Sequence, residues 1–202
     1  MYDAKIALSE VERQLVSDPG WILTKNQIIR KAALLLDQIQ QILRPQVQSQ
    51  LLFPAESLRL SPKISKGENY QGLPYLILDY PRLFSKEEIL AARFMFWWGH
   101  PFSLTFHFRG RYAKSYGPTI LKHLDYFKAH AFYICVNEEE WEHHFETDNY
   151  RQIRDIQPDE LRRMIEQSQF LKIATLFPLQ QWDDIPHLMA DCFLKTTGFL
   201  ND

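Results

Sequence analysis

A row of polar side chains in the middle of the chain has residue types suited to binding an anion. Apolar residues alternate there with Ser103, Thr105, His107 and Arg109, and Arg111 follows two positions later. Side chains two positions apart in a strand point to the same face, so these residues would form one row. Arginine presents paired donors to carboxylates and phosphates, and histidine can transfer protons. His107 is therefore the predicted catalytic group, and the predicted anion-binding residues are Arg109, Arg111, Ser103 and Thr105.

The same alternation has a structural alternative, because an antiparallel sheet with one face in water shows it too. Residues 100–130 carry five lysines and arginines against one acid, but no glycine-rich phosphate loop accompanies them. Residues 138–160 carry nine acids against two arginines. These opposite charges could be satisfied within the fold or across a symmetric dimer. The direction in which the polar row points would distinguish an anion site from a solvated face.

Histidines and carboxylates, which are ligands for zinc and iron, are combined in the segment Glu138–Glu146. The segment lacks the HExxH motif and its inverted form, since Glu139 lies where the first histidine of the inverted form is needed. His143 and His144 are candidate metal ligands, but adjacent side chains point apart and would not easily share one ion. A solvated acidic segment is the preferred interpretation, so no metal and no cofactor is expected.

Several aromatic residues could line a cleft. Tyr70, Tyr75 and Tyr80 lie in a stretch rich in glycine and proline, which could form a firm loop against Trp97 and Trp98. The alternative is that these are ordinary amphipathic rings at the end of a sheet, with their hydroxyls bonded locally.

Other functional classes find little support in the sequence. It contains no GxSxG, Walker A or dinucleotide-binding motif. A net charge of −2 does not favour binding to nucleic acid or to an anionic membrane. The first residues lack the basic start and continuous apolar run that are typical of a signal peptide, and no run of about 18 apolar residues occurs, so neither a signal peptide nor a membrane span is expected. Cys135 and Cys192 lie among apolar residues without a nearby partner, as thiols in a reducing compartment do. We expect a cytoplasmic protein.

The central stretch Phe94–Tyr112 predicts a β-hairpin. Its first strand is apolar at both odd and even positions, which is typical of a strand covered on both sides. Gly99–Pro101 forms the predicted connection. The second strand has an aromatic inner face made of Phe102, Leu104, Phe106 and Phe108, opposite the polar row. The high aromatic content, 14% of residues, indicates a large core.

The segment before this hairpin is rich in turn-forming residues. Lys66–Asn69 is a predicted turn, and Tyr75–Leu78 is a predicted short strand bracketed by Pro74 and Pro81. Because proline cannot donate a ladder hydrogen bond, the pattern favours an edge or a sheet end. Ser85 with Glu88 suggests a capping box that opens a helix to about Ala92.

Apolar spacing predicts most of the helices. Residues 3–17 form one, and a second is predicted to start at a Thr24 cap and to end at Pro45. Further helices follow Pro118 and Gln157, and a last one covers Asp183–Thr197 with Gly198 as its cap. Residues 131–136 and 170–177 are predicted strands.

Strands interrupted by helices without regular alternation indicate an α+β fold: a mostly antiparallel sheet, helices packed on one face and an N-terminal helical hairpin. We expect a single domain over residues 1–202, with the hairpin in 1–45 and a sheet-and-helix body in 58–202. The leading functional interpretation is a non-enzymatic binding or assembly module, with self-association as one form. The alternative is a small enzyme or ligand-binding protein that uses the His107 and Arg109 row on an anionic small molecule.

Overall fold

The computed structural model describes residues 6–49 and 53–200. Within these ranges the protein has an α+β fold with seven α-helices and seven strands. The helices are α1 (Glu10–Ser17), α2 (Pro19–Ser49), α3 (Ala55–Leu58), α4 (Arg111–Lys122), α5 (Leu124–Ala129), α6 (Pro158–Gln167) and α7 (Ile185–Leu200). The strands are β1 (Lys63–Tyr70), β2 (Leu73–Phe84), β3 (Ile89–Trp97), β4 (Phe102–Arg109), β5 (Tyr133–Cys135), β6 (Tyr150–Gln152) and β7 (Phe170–Phe177).

All seven strands form one antiparallel sheet in the order β1-β2-β3-β4-β7-β5-β6. The predicted central hairpin is confirmed as β3 and β4, with Phe102, Leu104, Phe106 and Phe108 all buried. These side chains belong to the main core together with residues of α2, α4 and α7. The helices therefore cover the aromatic face of the sheet, as the sequence predicts.

The strand before the hairpin is longer than predicted. β2 has twelve residues, includes Pro74 and Pro81, and pairs on both sides, so the edge strand is β1 instead. Pro74 lies opposite a register shift in β1, and Pro81 lies within the shift between Asp79 and Arg82. At such irregularities a ladder hydrogen bond is not required, which explains why both prolines are tolerated.

Two predicted local structures in this region are wrong. Lys66–Asn69 lies within β1, and the turn falls at Gln71 and Gly72, which both have positive φ. The Ser85–Glu88 motif closes a hairpin turn rather than a helix: Glu88 N–H donates to Ser85 Oγ, and Ser85 N–H donates to the Glu88 carbonyl. A serine side chain that bonds a residue three positions ahead occurs both in helix caps and in turns. Here the residues on either side of the motif pair in β2 and β3, so the motif forms a turn.

The N-terminal helices differ from prediction in their ends. α1 starts after a capping box between Ser9 and Glu12, and α2 starts at Pro19 rather than after Thr24. α2 also continues through Pro45, although proline leaves the carbonyl four residues earlier without its helical partner. That residue, Gln41, is exposed, so water can bond its carbonyl.

The remaining elements agree with the sequence in kind, and some differ in extent. α6 and β7 match their predicted positions, whereas α4 begins at Arg111 and contains Gly117 and Pro118. α7 includes Gly198 within the helix. None of the described helices combines the length and apolar character that a membrane span requires.

Candidate functional site

The polar row of β4 does not face solvent. Ser103, Thr105 and His107 have exposed fractions of 6%, 8% and 5%, and Arg109 is partly exposed. The segment of residues 136–149, here called the cover segment, lies across this face of the sheet and contacts it through Glu140, Glu142 and His143. The interpretation of a solvated face is therefore ruled out.

Glu140 connects the two central residues of the predicted site. Its Oε2 lies 3.2 Å from His107 Nε2, and its Oε1 accepts a 2.5 Å hydrogen bond from Arg109 NH1. Burial lowers the pKa of His107 to about 2, and the nearby cations Lys172, Arg93 and Arg109 act in the same direction. A neutral imidazole donates from one ring nitrogen, so His107 Nε2–H donates to the carboxylate. At this contact, the negative charge of residues 138–160 and the positive charge of residues 100–130 therefore compensate each other within the fold.

A second charged group lies beside the first. Arg93 of β3 donates two hydrogen bonds to Asp79 of β2, at 2.7 and 3.0 Å, and its NH1 lies 3.1 Å from His143 Nε2. Since guanidinium can only donate, His143 Nε2 is the acceptor. Burial is the main cause that lowers the pKa of His143 well below its ordinary value, followed by the positive charge of Arg93. His143 is therefore a neutral hydrogen-bond acceptor.

Lys172 of β7 is the most deeply buried charged residue of this face. It pairs across the ladder with His107 and has an exposed fraction of 2%. Its ammonium donates a 2.7 Å hydrogen bond to the Glu142 carbonyl and lies 5.3 Å from the centre of the Tyr150 ring. Among the described residues, no carboxylate forms an ion pair with it. Burial accordingly lowers the pKa of Lys172 to about 8.

The predicted cleft-lining residues are divided between the two faces. Tyr70, Tyr75 and Trp97 form a small cluster on the polar face, whereas Tyr80 and Trp98 belong to the main core. The Tyr70 hydroxyl donates to Glu142 Oε2 at 2.8 Å and accepts from the backbone N–H of His143 at 2.8 Å. Burial raises the pKa of Tyr70 to about 12, so it remains protonated. Its role is to hold the cover segment.

Arg111 does not lie in the polar row of β4. The chain leaves the sheet after Arg109 and enters α4 at Arg111, whose guanidinium contacts Glu56 and lies 3.2 Å from Glu88. Ser103 and Thr105 do remain on the polar face, where both are buried. Of the four predicted anion-binding residues, Arg109 is the one that contacts a carboxylate beside His107.

The candidate metal ligands do not form a cluster. His143 faces Arg93, and His144 lies 3.8 Å from Glu142 and 3.9 Å from Asp148. Within residues 6–49 and 53–200, no three histidine, cysteine or acidic side chains are grouped so that they could hold a metal ion.

A cavity of about 810 Å³ opens next to the His107–Glu140–Arg109 group. Its wall includes Arg109, Glu140, Trp141, Arg163 and Phe170. A much smaller void of about 10 Å³ lies between Arg93, Thr105, His107, His143 and Lys172, which is about the space of one water molecule. Space for a ligand therefore lies at the Arg109 end of the polar row.

Sequence reasoning did not identify Asp79, Arg93, Glu140 or Lys172 as parts of the site. Three of them had a detectable signal, since Asp79, Arg93 and Lys172 are charged residues inside otherwise apolar strands. A charge in such a position is costly unless it is paired or has a function. Glu140 had no such signal, because it is one of many acids in its segment.

Comparison with known proteins found no matching family model, no matching curated protein and no matching solved structure.

Proposed function

We propose that this protein is a binding protein for a small anionic molecule, held on the polar face of the sheet at the Arg109 end. The observation that supports this is the Glu140 carboxylate, which His107 and Arg109 bind at the wall of the large cavity. In this proposal the carboxylate or phosphate of a ligand takes the position of the Glu140 carboxylate between His107 and Arg109. Glu140 then competes with the ligand for the hydrogen bonds of His107 and Arg109.

Electrostatics favours an anion at this face. Arg93 is neutralised by Asp79, but Lys172 is buried next to His107 without a carboxylate partner among the described residues. A buried charge without a counter-charge is unfavourable. Glu140 and Glu142 interact with this ammonium only at longer range. A dianion such as phosphate in the place of the Glu140 carboxylate would bring more negative charge next to His107, which gives the site a reason to prefer anions over neutral molecules.

Within this proposal His107 serves as a hydrogen-bond donor. Its low pKa keeps the imidazole neutral at physiological pH, with Nε2–H directed at the anion position. A group with that pKa is poorly suited to general acid–base catalysis near pH 7, where a pKa close to the working pH is most effective. We therefore favour binding over catalysis. A cytoplasmic location belongs to the same proposal, supported by the free thiols of Cys135 and Cys192.

Replacing Glu140 by glutamine is expected to strengthen anion binding about tenfold. A charge-assisted hydrogen bond to Arg109 is worth about 1.4 kcal/mol more than a neutral one, and that difference corresponds to a factor of ten. A ligand therefore displaces glutamine from Arg109 more easily than it displaces glutamate. Inorganic phosphate and citrate are the probes, titrated by calorimetry into the wild type and Glu140→Gln.

Two variants make this test specific. Glu139→Gln removes the same charge from the same segment, at an exposed residue that also lines the cavity, and is expected to leave the affinity unchanged. Arg109→Gln is expected to abolish binding in both backgrounds. If Glu140→Gln binds neither probe more tightly than the wild type, Glu140 is not a competitor and the proposal is wrong.

A further inference from the structure

The cavity at the proposed anion site is far larger than a single anionic group needs. Its volume is about 810 Å³, which lies within the range of sites for organic molecules of drug size, about 300–1,000 Å³. A carboxylate or phosphate between His107 and Arg109 would occupy only a small part of it. The rest of the space is available to the body of the ligand, so the side chains of the wall indicate what kind of body fits.

Phe170 of β7 brings an aromatic ring next to the anion position. It pairs across the ladder with Arg109, so the two side chains stand beside each other on the same face of the sheet. Its ring lies 6.0 Å from the His107 ring, at an interplanar angle of 70°, and it forms part of the cavity wall. Because Phe170 is only partly buried, part of its ring is accessible to a ligand.

Trp141 of the cover segment provides a second ring at the same position. It directly follows Glu140 in the chain, and its ring lies 5.5 Å from that of His107 and 6.1 Å from that of Phe84. These contacts orient the indole, yet Trp141 has an exposed fraction of 46% and lines the cavity. Tryptophan buries most of its surface on average. An oriented indole that is left half exposed at a cavity wall is therefore suited to contact a ligand.

Two smaller apolar side chains extend this part of the wall. Val136 of the cover segment and Met164 of α6 line the same cavity, and both are partly buried. The thioether of methionine makes favourable contacts with aromatic rings. The wall around Trp141 and Phe170 therefore favours an apolar ligand body.

Acidic residues on the wall limit the charge of that body. Glu160 is neutralised by Arg151, which lies 2.6 Å away. Glu138 and Glu139 are exposed, and Arg163 is the one cation that lines the cavity besides Arg109. A second anionic group placed near these two carboxylates would be repelled, although water and salt weaken the effect. An uncharged body therefore fits this wall better than a charged one.

We propose that the ligand of the anion site is an aromatic carboxylate, a step that rests on the function proposed above. Its carboxylate binds His107 and Arg109, and its uncharged planar ring packs against Trp141 and Phe170. Both of these rings lie within 6.0 Å of the His107 imidazole, so a ring joined directly to the carboxylate reaches them. Aromatic pairs gain attraction beyond the apolar area that they bury.

A series of singly charged carboxylates tests this ligand class by calorimetry on the full chain. The probes are acetate, cyclohexanecarboxylate, benzoate and 2-naphthoate, with inorganic phosphate as the probe of the anion position alone. The affinity is expected to rise at least about tenfold from acetate to benzoate and further to 2-naphthoate, because each added ring buries more apolar surface. Cyclohexanecarboxylate has as many carbon atoms as benzoate but is not planar, and it should bind less tightly than benzoate.

Substitutions assign the ring contact to Trp141. Trp141→Leu is expected to weaken 2-naphthoate binding at least about fivefold and to change phosphate binding much less. Trp21→Leu is the matched control, because Trp21 of α2 is exposed to a similar extent, 45%, but does not line this cavity. It should bind 2-naphthoate like the wild type. Arg109→Gln should abolish 2-naphthoate binding. Far-ultraviolet circular dichroism checks that each variant is folded.

Nuclear magnetic resonance gives an independent readout. Benzoate should shift the indole N–H signal of Trp141, identified by its loss in Trp141→Leu, and should leave the signal of Trp21 in place. The inference is overturned if 2-naphthoate binds no more tightly than acetate, if cyclohexanecarboxylate matches benzoate, or if Trp21→Leu weakens binding as much as Trp141→Leu. Phosphate binding that persists in such a case leaves the anion site standing, whereas failure of every probe, phosphate included, overturns both proposals.

Discussion

At pH 5 the protein is expected to be at least about 2 kcal/mol less stable to unfolding than at pH 7. The cause is the pair of buried neutral imidazoles, His107 and His143, whose pKa values are lowered in the folded protein. In the unfolded chain both rings take up protons near pH 6.5, whereas in the folded protein they do not until the pH is far lower. The unfolded state thus binds more protons below pH 6.5. His107 alone costs about 2 kcal/mol between pH 7 and pH 5, and His143 adds to this loss in the same direction.

The sign of this effect is fixed by the direction of the pKa shifts. The contribution of these histidines to stability is fully present above about pH 6.5 and is lost as the pH falls below that value. Protonation of His143 would also place an N–H donor opposite the guanidinium of Arg93, where an acceptor is needed. At acidic pH the contact between the sheet and the cover segment is therefore expected to break first.

Urea unfolding at pH 5, 6 and 7 measures this dependence. His107→Asn and His143→Gln should each make the slope less steep, since each eliminates one of the two imidazoles. His187→Gln is the control, because His187 is exposed and lies on α7, away from the polar face. A wild-type stability that is the same at pH 5 and pH 7 would contradict the assignment of both histidines as neutral groups.

Replacing Lys172 by methionine is expected to stabilise the protein by about 2 kcal/mol at pH 7. Burial lowers the pKa of this lysine from its ordinary 10.5 to about 8, which means that the folded state pays about 3 kcal/mol to keep the ammonium charged at pH 7. Methionine has a similar length and no charge. Loss of the hydrogen bond to the Glu142 carbonyl offsets about 1 kcal/mol of the gain.

The gain should depend on pH in a defined way. Between about pH 8 and 10.5 the folded wild type binds fewer protons than its unfolded chain, so its stability rises with pH and the advantage of Lys172→Met disappears. Chemical unfolding at pH 7 and above pH 10 measures the difference. Lys114→Met removes an exposed charge on α4 and is expected to have little effect at either pH. Destabilisation by Lys172→Met at pH 7 would show that the ammonium is a net structural contact.

A stabilising Lys172→Met variant would also bear on function. A residue that lowers stability is often retained because the site needs it. In the proposed anion site, the variant should be more stable but should bind phosphate and citrate less tightly. A gain in stability together with unchanged binding would place the anion away from Lys172.

The fold class and the central hairpin were predictable because their signals are periodic. Phe102 to Phe108 alternate strictly with polar residues, and such a pattern fits one face of a buried strand and little else. The ends of α1 and α2 and the path of β2 were not predictable in the same way. Pro45, Pro74 and Pro81 suggest interruptions, yet each lies where water or a register shift removes the need for its missing N–H.

The sequence by itself determined that Phe102, Leu104, Phe106 and Phe108 lie on one side of β4 and that His107 and Arg109 lie on the other, because side chains alternate along an extended chain. The tertiary structure alone decided what meets the polar side. Glu140 follows Arg109 by 31 residues, and Asp79, Arg93, His107 and Lys172 come from four different strands. Their proximity depends on strand order and on the path of the cover segment, which are set by long-range packing and have no local sequence signal.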